Sequence, residues 1–167
     1  MTPENPDKPY WETKRLSEMT EAEWEALCDG CGKCCLVKLE DEDTTEVLYT
    51  GLHCRLLDAS TCQCSNYENR RDYVPDCIKL TAETIPFYDW LPKTCAYRLI
   101  EEGRPLPEWH HLVCGDREEI HRRGVSAKNK TISEDEVAEE DALDHVAPWA
   151  NRPPSAYRRR NRRTQKR

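Results

Sequence analysis

Cys28-Asp-Gly-Cys31-Gly-Lys-Cys34-Cys35 is the stretch on which the reading of this chain turns. Three cysteines recur at every third position and a fourth follows at once. Two thiols separated by two residues reach one ion from a single turn of chain. Thiolates are the ligands that zinc and iron–sulfur clusters take. Gly30 and Gly32 loosen the backbone between these cysteines and let amides turn toward a bound metal or its sulfurs. Adjacent Cys34 and Cys35 point in different directions in most backbone conformations. They serve two metals, or one metal and one free thiol, more easily than they chelate one ion.

Outward from this run, Cys54, Cys62, Cys64 and Cys77 complete eight cysteines within residues 28–77, and Cys95 and Cys114 lie beyond. Cys28, Cys31, Cys34, Cys35, Cys54, Cys62, Cys64 and Cys77 are the candidate metal ligands, for zinc or an iron–sulfur cluster. Structural zinc would use two pairs, such as Cys28 and Cys31 with two of the later four. The bacterial ferredoxin pattern Cys-x-x-Cys-x-x-Cys continues with x-x-x-Cys-Pro, whereas here Leu36-Val37 follow Cys35. An isolated cysteine commonly packs as a small hydrophobe. That is the reading for Cys114, and for Cys95 it stands level with ligation.

The composition says why such fastening is needed. Of 167 residues, 37% are hydrophobic and 34% charged, so the chain can bury only a modest core. Disulfides would serve in an oxidising compartment. The start, Met1-Thr-Pro-Glu-Asn-Pro-Asp-Lys8, lacks the basic and apolar blocks of a signal peptide. No run approaches the roughly 18 apolar residues of a membrane span. The expectation is a cytoplasmic protein without membrane contact, where clustered cysteines point to metal.

Local signals place these residues in an α+β domain organised by metal, with peripheral helices. Residues 1–16 read as an arm, 17–147 as one domain and 148–167 as a basic disordered tail. Thr20-Glu-Ala-Glu23 has the capping-box form and predicts a helix running into Cys28. Thr45 to Tyr49 reads as a strand with His53 to Leu57 as its partner and Asp58-Ala-Ser-Thr61 as a turn. Thr81 to Asp89 reads as a short helix interrupted by Pro86. Lys93 to Gly103 reads as a helix stopped by glycine. Asp116-Arg-Glu-Glu119 repeats the capping box, with Gly124 as a stop. Ser133-Glu-Asp-Glu136 starts a last predicted helix through about His145.

The cysteine run resembles the signature of the CxxCxxCC, or YkgJ, family of zinc- or iron-chelating domains. His53-Cys54-Arg-Leu-Leu57 resembles that family's Cys-x-x-Leu element. Cys62-Gln-Cys64-Ser-Asn-Tyr67-Glu-Asn-Arg70 resembles its Cys-x-x-Tyr-x-x-Arg element, and Cys77 its closing cysteine. In that alignment Cys64 is the ligand-like cysteine and Cys62 an extra. The family usually has Arg-Pro after the tyrosine, whereas here Arg71 follows Arg70 and the proline comes at 75. Trp90-Leu-Pro92, Cys95-Ala-Tyr97-Arg98 and Trp109-His110 are similar to the YcgN branch. The resemblance implies metal chelation and no particular reaction.

Other chemistry finds less support. His53 adjoins Cys54 and is an alternative ligand. His110 and His111 read as partly exposed surface residues near Trp109, and His121 and His145 as surface residues on helices. No phosphate-binding loop, dinucleotide fingerprint or nucleophile elbow is present, so enzymatic work would rest on an iron–sulfur centre. Net charge is −7, but residues 1–151 carry −15 and residues 152–167 carry +8. Arg158, Arg159, Arg160, Arg162 and Arg163 could hold nucleic-acid phosphates. A solubilising tail, or one folded back on the acidic body, accounts for the same charge.

Overall fold

The computed structural model describes residues 7–151. The basic stretch 152–167, with the nucleic-acid reading that rests on it, lies outside the described residues, as do residues 1–6 of the N-terminal arm. The fold mixes short helices with two small sheets, as an α+β chain. Helix α1 (Tyr10–Thr13) and a 3₁₀ turn (Leu16–Glu18) lead into α2 (Glu21–Leu27). Thr20 caps α2 as its sequence requires. Its hydroxyl accepts the Glu23 amide at 3.2 Å and the Glu23 carboxylate accepts the Thr20 amide at 2.9 Å. Cys28 is the C-terminal cap of this helix. Gly30 and Gly32 both take positive φ, +73° and +72°. The chain thereby reverses into a 3₁₀ turn (Lys33–Cys35) that carries the two adjacent cysteines.

The main sheet differs from the sequence expectation. Strand β1 (Leu36–Glu40) leaves directly from the cysteine run and pairs antiparallel with β2 (Val47–His53), in register Lys38 with Tyr49 and Leu36 with His53. The acidic residues 41–46 form the connecting loop. Thr45 has φ 60° there, outside strand conformation. His53 to Leu57 is therefore not the partner of the first strand: His53 ends β2. The turn at Asp58–Thr61 joins β3 (Leu57–Asp58) to β4 (Gln63–Cys64). The Asp58 carboxylate shapes it by accepting the Ser60 amide at 2.8 Å. Strand β5 (Ile132–Ser133) adds parallel to β2.

The helices after β4 are short: α3 (Arg70–Tyr73), α4 (Ala96–Glu101), α5 (His111–Cys114) and α6 (Glu119–Arg122). Gly103 and Gly124 stop α4 and α6 at φ +69° and +68°. At the first stop, Arg104 donates to Leu99 O and Gly103 to Ile100 O, the paired bonds of a Schellman ending. Three predicted helical features are corrected. Thr81 to Asp89 yields only a 3₁₀ turn (Ile85–Phe87), because Pro86 cannot donate into a longer helix. Glu118, not Asp116, caps α6, while the Asp116 carboxylate accepts the Glu118 amide at 2.9 Å. Ser133 to His145 is two 3₁₀ segments (Glu134–Glu136 and Glu139–His145) with Val137 extended between them. Seven carboxylates in twelve residues, 133–144, repel one another at helical spacing and weaken a continuous helix.

Three small apolar clusters make up the core. Leu16, Leu27, Ile85, Leu91, Ala96 and Tyr97 form the first. Leu36, Tyr49, Cys62, Ala127 and Ala150 form the second. Cys31, Trp109, Ile120 and Val125 form the third. The cysteine run joins all three, since Leu27 just before it, Cys31 within it and Leu36 just after it belong to different clusters. That placement sets the run at the meeting of the three clusters.

Candidate metal centre

All ten cysteines are free thiols. Cys28 and Cys34 are solvent-accessible, Cys31 is buried and Cys35 is half-buried. Cys34 and Cys35 share the turn before β1. Their interaction, with the Lys38 ammonium nearby, lowers the Cys34 thiol to about 7 and raises Cys35. Burial pushes the Cys28 thiol up to about 12. Burial likewise raises Cys31. Such thiols give up their protons only to a partner that replaces the lost hydration, as a metal does.

The later cysteines arrive by backbone pairing. The Cys54 amide donates to Cys35 O at 2.8 Å, which fixes Cys54 beside the turn. The Leu57 amide donates to Cys54 O at 2.8 Å, and Leu57 pairs with Cys64 across β3 and β4. Cys77 follows α3, and Cys54 feels the charges of Cys77 and Cys64. Cys62 departs from this group. It is 5% exposed in the second apolar cluster, and a Cβ built on Gly32 would lie 3.2 Å from its sulfur. After burial, the groups acting on it most are Ser126, Lys128 and Ala127. Cys114 is exposed and donates to the carbonyl of Asp116. Cys95 caps α4 at its N-terminus, packs against the first cluster, and burial pushes its thiol up to about 12. Among the described residues, no three cysteine, histidine or carboxylate side chains converge on one point at metal-ligating geometry.

Several polar residues of the centre escape a sequence reading. Asp29 is buried, with one carboxylate oxygen accepting the Cys31 amide at 3.1 Å and the other without a hydrogen-bond partner. Burial raises its carboxyl. Lys33, between Gly32 and Cys34, is 1% exposed and stands near the Asp29 and Cys31 charges. Lys38 donates to Cys34 O at 2.9 Å and Leu36 O at 2.8 Å, and its ammonium lies over the Tyr49 and Trp90 rings. Two cations thus accompany the run, Lys33 within it and Lys38 just after it, in a chain whose described part is strongly acidic. Aspartate and lysine between cysteines were visible as letters, but nothing in their spacing says that they are buried.

One histidine is placed differently from expectation. His110 is fully buried rather than on the surface. Its Nε2 lies 2.9 Å from Leu27 O and its Nδ1 accepts the Leu112 amide at 3.1 Å. The second contact leaves Nε2 as the protonated nitrogen, donating to Leu27 O. Burial holds the imidazole down at about 4. His111 Nε2 lies 2.7 Å from Ala26 O. The pair satisfies carbonyls in the last turn of α2, one step before Cys28. His53 Nδ1 meets Thr131 Oγ1 at 2.9 Å at the end of β2. His121 Nδ1 meets Ser126 Oγ at 2.7 Å.

The donor set is thiol-rich and therefore suits zinc or iron–sulfur chemistry, and the unpartnered Asp29 oxygen adds a buried carboxyl group. Comparison with known proteins agrees with this chemistry. Residues 27–96 match a family model, CxxCxxCC, described as "Putative zinc- or iron-chelating domain". A UPF0260 protein of Rhizorhabdus wittichii is 60% identical over 139 residues, 83% of this chain and 93% of the relative. The chain belongs to the UPF0260 family and carries the CxxCxxCC domain. Other UPF0260 relatives come from Rhizobium etli, at 55% identity over 86% of this chain and 90% of the relative, and Marinobacter nauticus, at 56% over 84% and 95%. No solved structure matches the chain. Among the described residues, no helix is long and apolar enough to cross a membrane.

Proposed function

We propose that this UPF0260 protein is a cytoplasmic metal-binding protein whose cysteines hold zinc or an iron–sulfur cluster. The observation that carries the reading is the placement of the run from Cys28 to Cys35. It borders three apolar clusters, none of which is large, with Lys33 inside it and Lys38 just after it. Thiolates bound to a metal carry net negative charge, which Lys33 and Lys38 offset. The metal would supply either a structural crosslink or, as a cluster, a redox centre. Backbone pairing sets Cys35, Cys54 and Cys64 near one another, and these with the cysteines of the run would hold the metal. Cys28, Cys31, Cys34, Cys35, Cys54, Cys64 and Cys77 are the ligand candidates with neighbouring thiols. Cys62 is less suited because its sulfur packs among apolar groups.

Anaerobic purification of the untagged chain, followed by metal analysis, acid-labile sulfide assay and a visible spectrum, tests the reading. Iron with sulfide and visible absorption identifies a cluster. Zinc without colour identifies a structural site. Replacing Cys28 and Cys31 together by Ser should strip metal. Full metal retention in that variant, or a metal-free wild type whose thiols all titrate, would refute the proposal.

A further inference from the structure

A surface cleft lies between α2 and the chain around α3, and it shares no residue with the candidate metal ligands. We propose that this cleft binds a peptide segment of another protein, one that carries a basic and an acidic side chain a few residues apart.

The cleft has a volume of about 330 Å³. Its α2 part presents Glu21 and Glu25, one turn apart on the same face of the helix. That helix is held at both ends, by the Thr20 capping box and by His110 and His111. The chain around α3 supplies Tyr67, Arg70, Arg71 and Lys79. The Arg70 guanidinium lies over the Tyr67 ring at 4.1 Å and donates to Tyr67 O at 2.7 Å. This contact fixes Arg70, while Tyr67 stays 53% exposed. Glu21, Glu25, Arg71 and Lys79 are all exposed, and among the described residues none of them is in an ion pair. Elsewhere the surface pairs its charges, as Arg98 with Glu102 and Arg123 with Glu119. Here both signs share one cleft without meeting.

The chemistry of the lining selects the occupant. Small-molecule sites are mostly apolar with a few polar groups, whereas this lining is mostly charged. A nucleic acid would meet four carboxylates against three cations, and carboxylates repel phosphates. A peptide satisfies both signs at once. Its lysine or arginine pairs with Glu21 and Glu25, and its aspartate or glutamate pairs with Arg71 and Lys79. Tyrosine and arginine, the types that most often anchor protein interfaces, are present as Tyr67 and Arg70. The same segment exposes Tyr73 and Ile78, so apolar surface continues along it.

Titration of the full chain with synthetic peptides, followed through the backbone amide NMR signals of α2 and α3, tests the proposal. The probes are short glycine–serine peptides carrying lysine and glutamate together, lysine alone or glutamate alone. The mixed peptides should shift these signals at lower concentration than either single-sign set. Arg71→Glu with Lys79→Glu should weaken the mixed peptides about tenfold and turn the preference to lysine peptides. Glu21→Lys with Glu25→Lys should turn it to glutamate peptides. All four positions are exposed, so both variants should keep the wild-type fold, which their remaining amide signals report. If mixed peptides act no better than single-sign ones, or if the folded charge-reversed variants keep the wild-type preference, the proposal fails. If a single-stranded oligonucleotide shifts the same signals and the peptides do not, the cleft is a nucleic-acid site and the proposal fails equally.

Discussion

Lys33 is an unusual residue to find at 1% exposure. A buried ammonium is costly unless an anion accompanies it. In the metal-free chain its nearby counter-charge is Asp29, since burial keeps Cys31 protonated. Burial accordingly lowers the lysine pKa. Metal loading changes this balance, because each bound sulfur becomes a thiolate and the centre becomes anionic. Lys33 then has a reason to be buried. Lys33→Met keeps the length of the side chain and removes the charge. It should weaken metal binding by about 10–100-fold, the usual cost of losing a group that supports metal ligands, while leaving the stability of the metal-free chain unchanged or higher. Competition with a chromophoric chelator measures the first and denaturant unfolding the second. Unchanged affinity would mean that the lysine is a structural accident of the loop.

Helix α2 shows how an element delivers a ligand. Thr20 closes its start, while His110 and His111 meet carbonyls at its end, so Cys28 emerges from a helix pinned at both termini. Only the first pin was legible in sequence, because a capping box is local and four residues long. The second comes from more than eighty residues away, and no local pattern announces it. The same division runs through the fold. Gly103 and Gly124 signalled their helix stops, since a positive φ falls to glycine at little cost. Strand β1 was missed because Leu36-Val37-Lys38-Leu39 follows the cysteines without a turn signal. The cysteine spacing was legible at once, while the position of Cys95 against the first cluster depends on packing that no local pattern announces. The His110 pin also carries a pH signature. Its imidazole is neutral in the fold and held at about 4, against about 6.5 unfolded. The unfolded chain therefore binds the extra proton between these values. The contribution is complete above pH 6.5 and fades as pH falls toward 4, by up to about 3 kcal/mol. Urea unfolding of wild type and His110→Gln at pH 7 and pH 4.5 isolates it, because the other titrating groups are common to both. The wild type should lose more stability than the variant on acidification. Parallel losses would show that His110 is not held neutral.

At the scale of the whole molecule, charge and core size set the problem that a metal solves. The part of the chain before residue 152 carries −15, which opposes compaction. Against that repulsion stand three clusters of four to six buried residues each, a small return for a chain of this length. Because the cysteine run is continuous with all three, a metal held there ties them into one cooperative body. Binding to the folded chain alone stabilises it by RT ln(1 + [L]/Kd), about 4 kcal/mol when free metal stands at 1,000 times Kd. For a domain of this size that corresponds to a rise in Tm on the order of 10 °C. Chelation under reducing conditions should therefore lower Tm by that order. It should also broaden the transition, with the near-ultraviolet signals of Trp24 and Trp109, in different clusters, no longer melting together. If the fall occurs while the two signals still coincide, the clusters cohere without metal and the run is a ligand site only. If Tm does not move for protein that carried metal beforehand, the metal contributes nothing to the fold, and its role is confined to chemistry at the thiols.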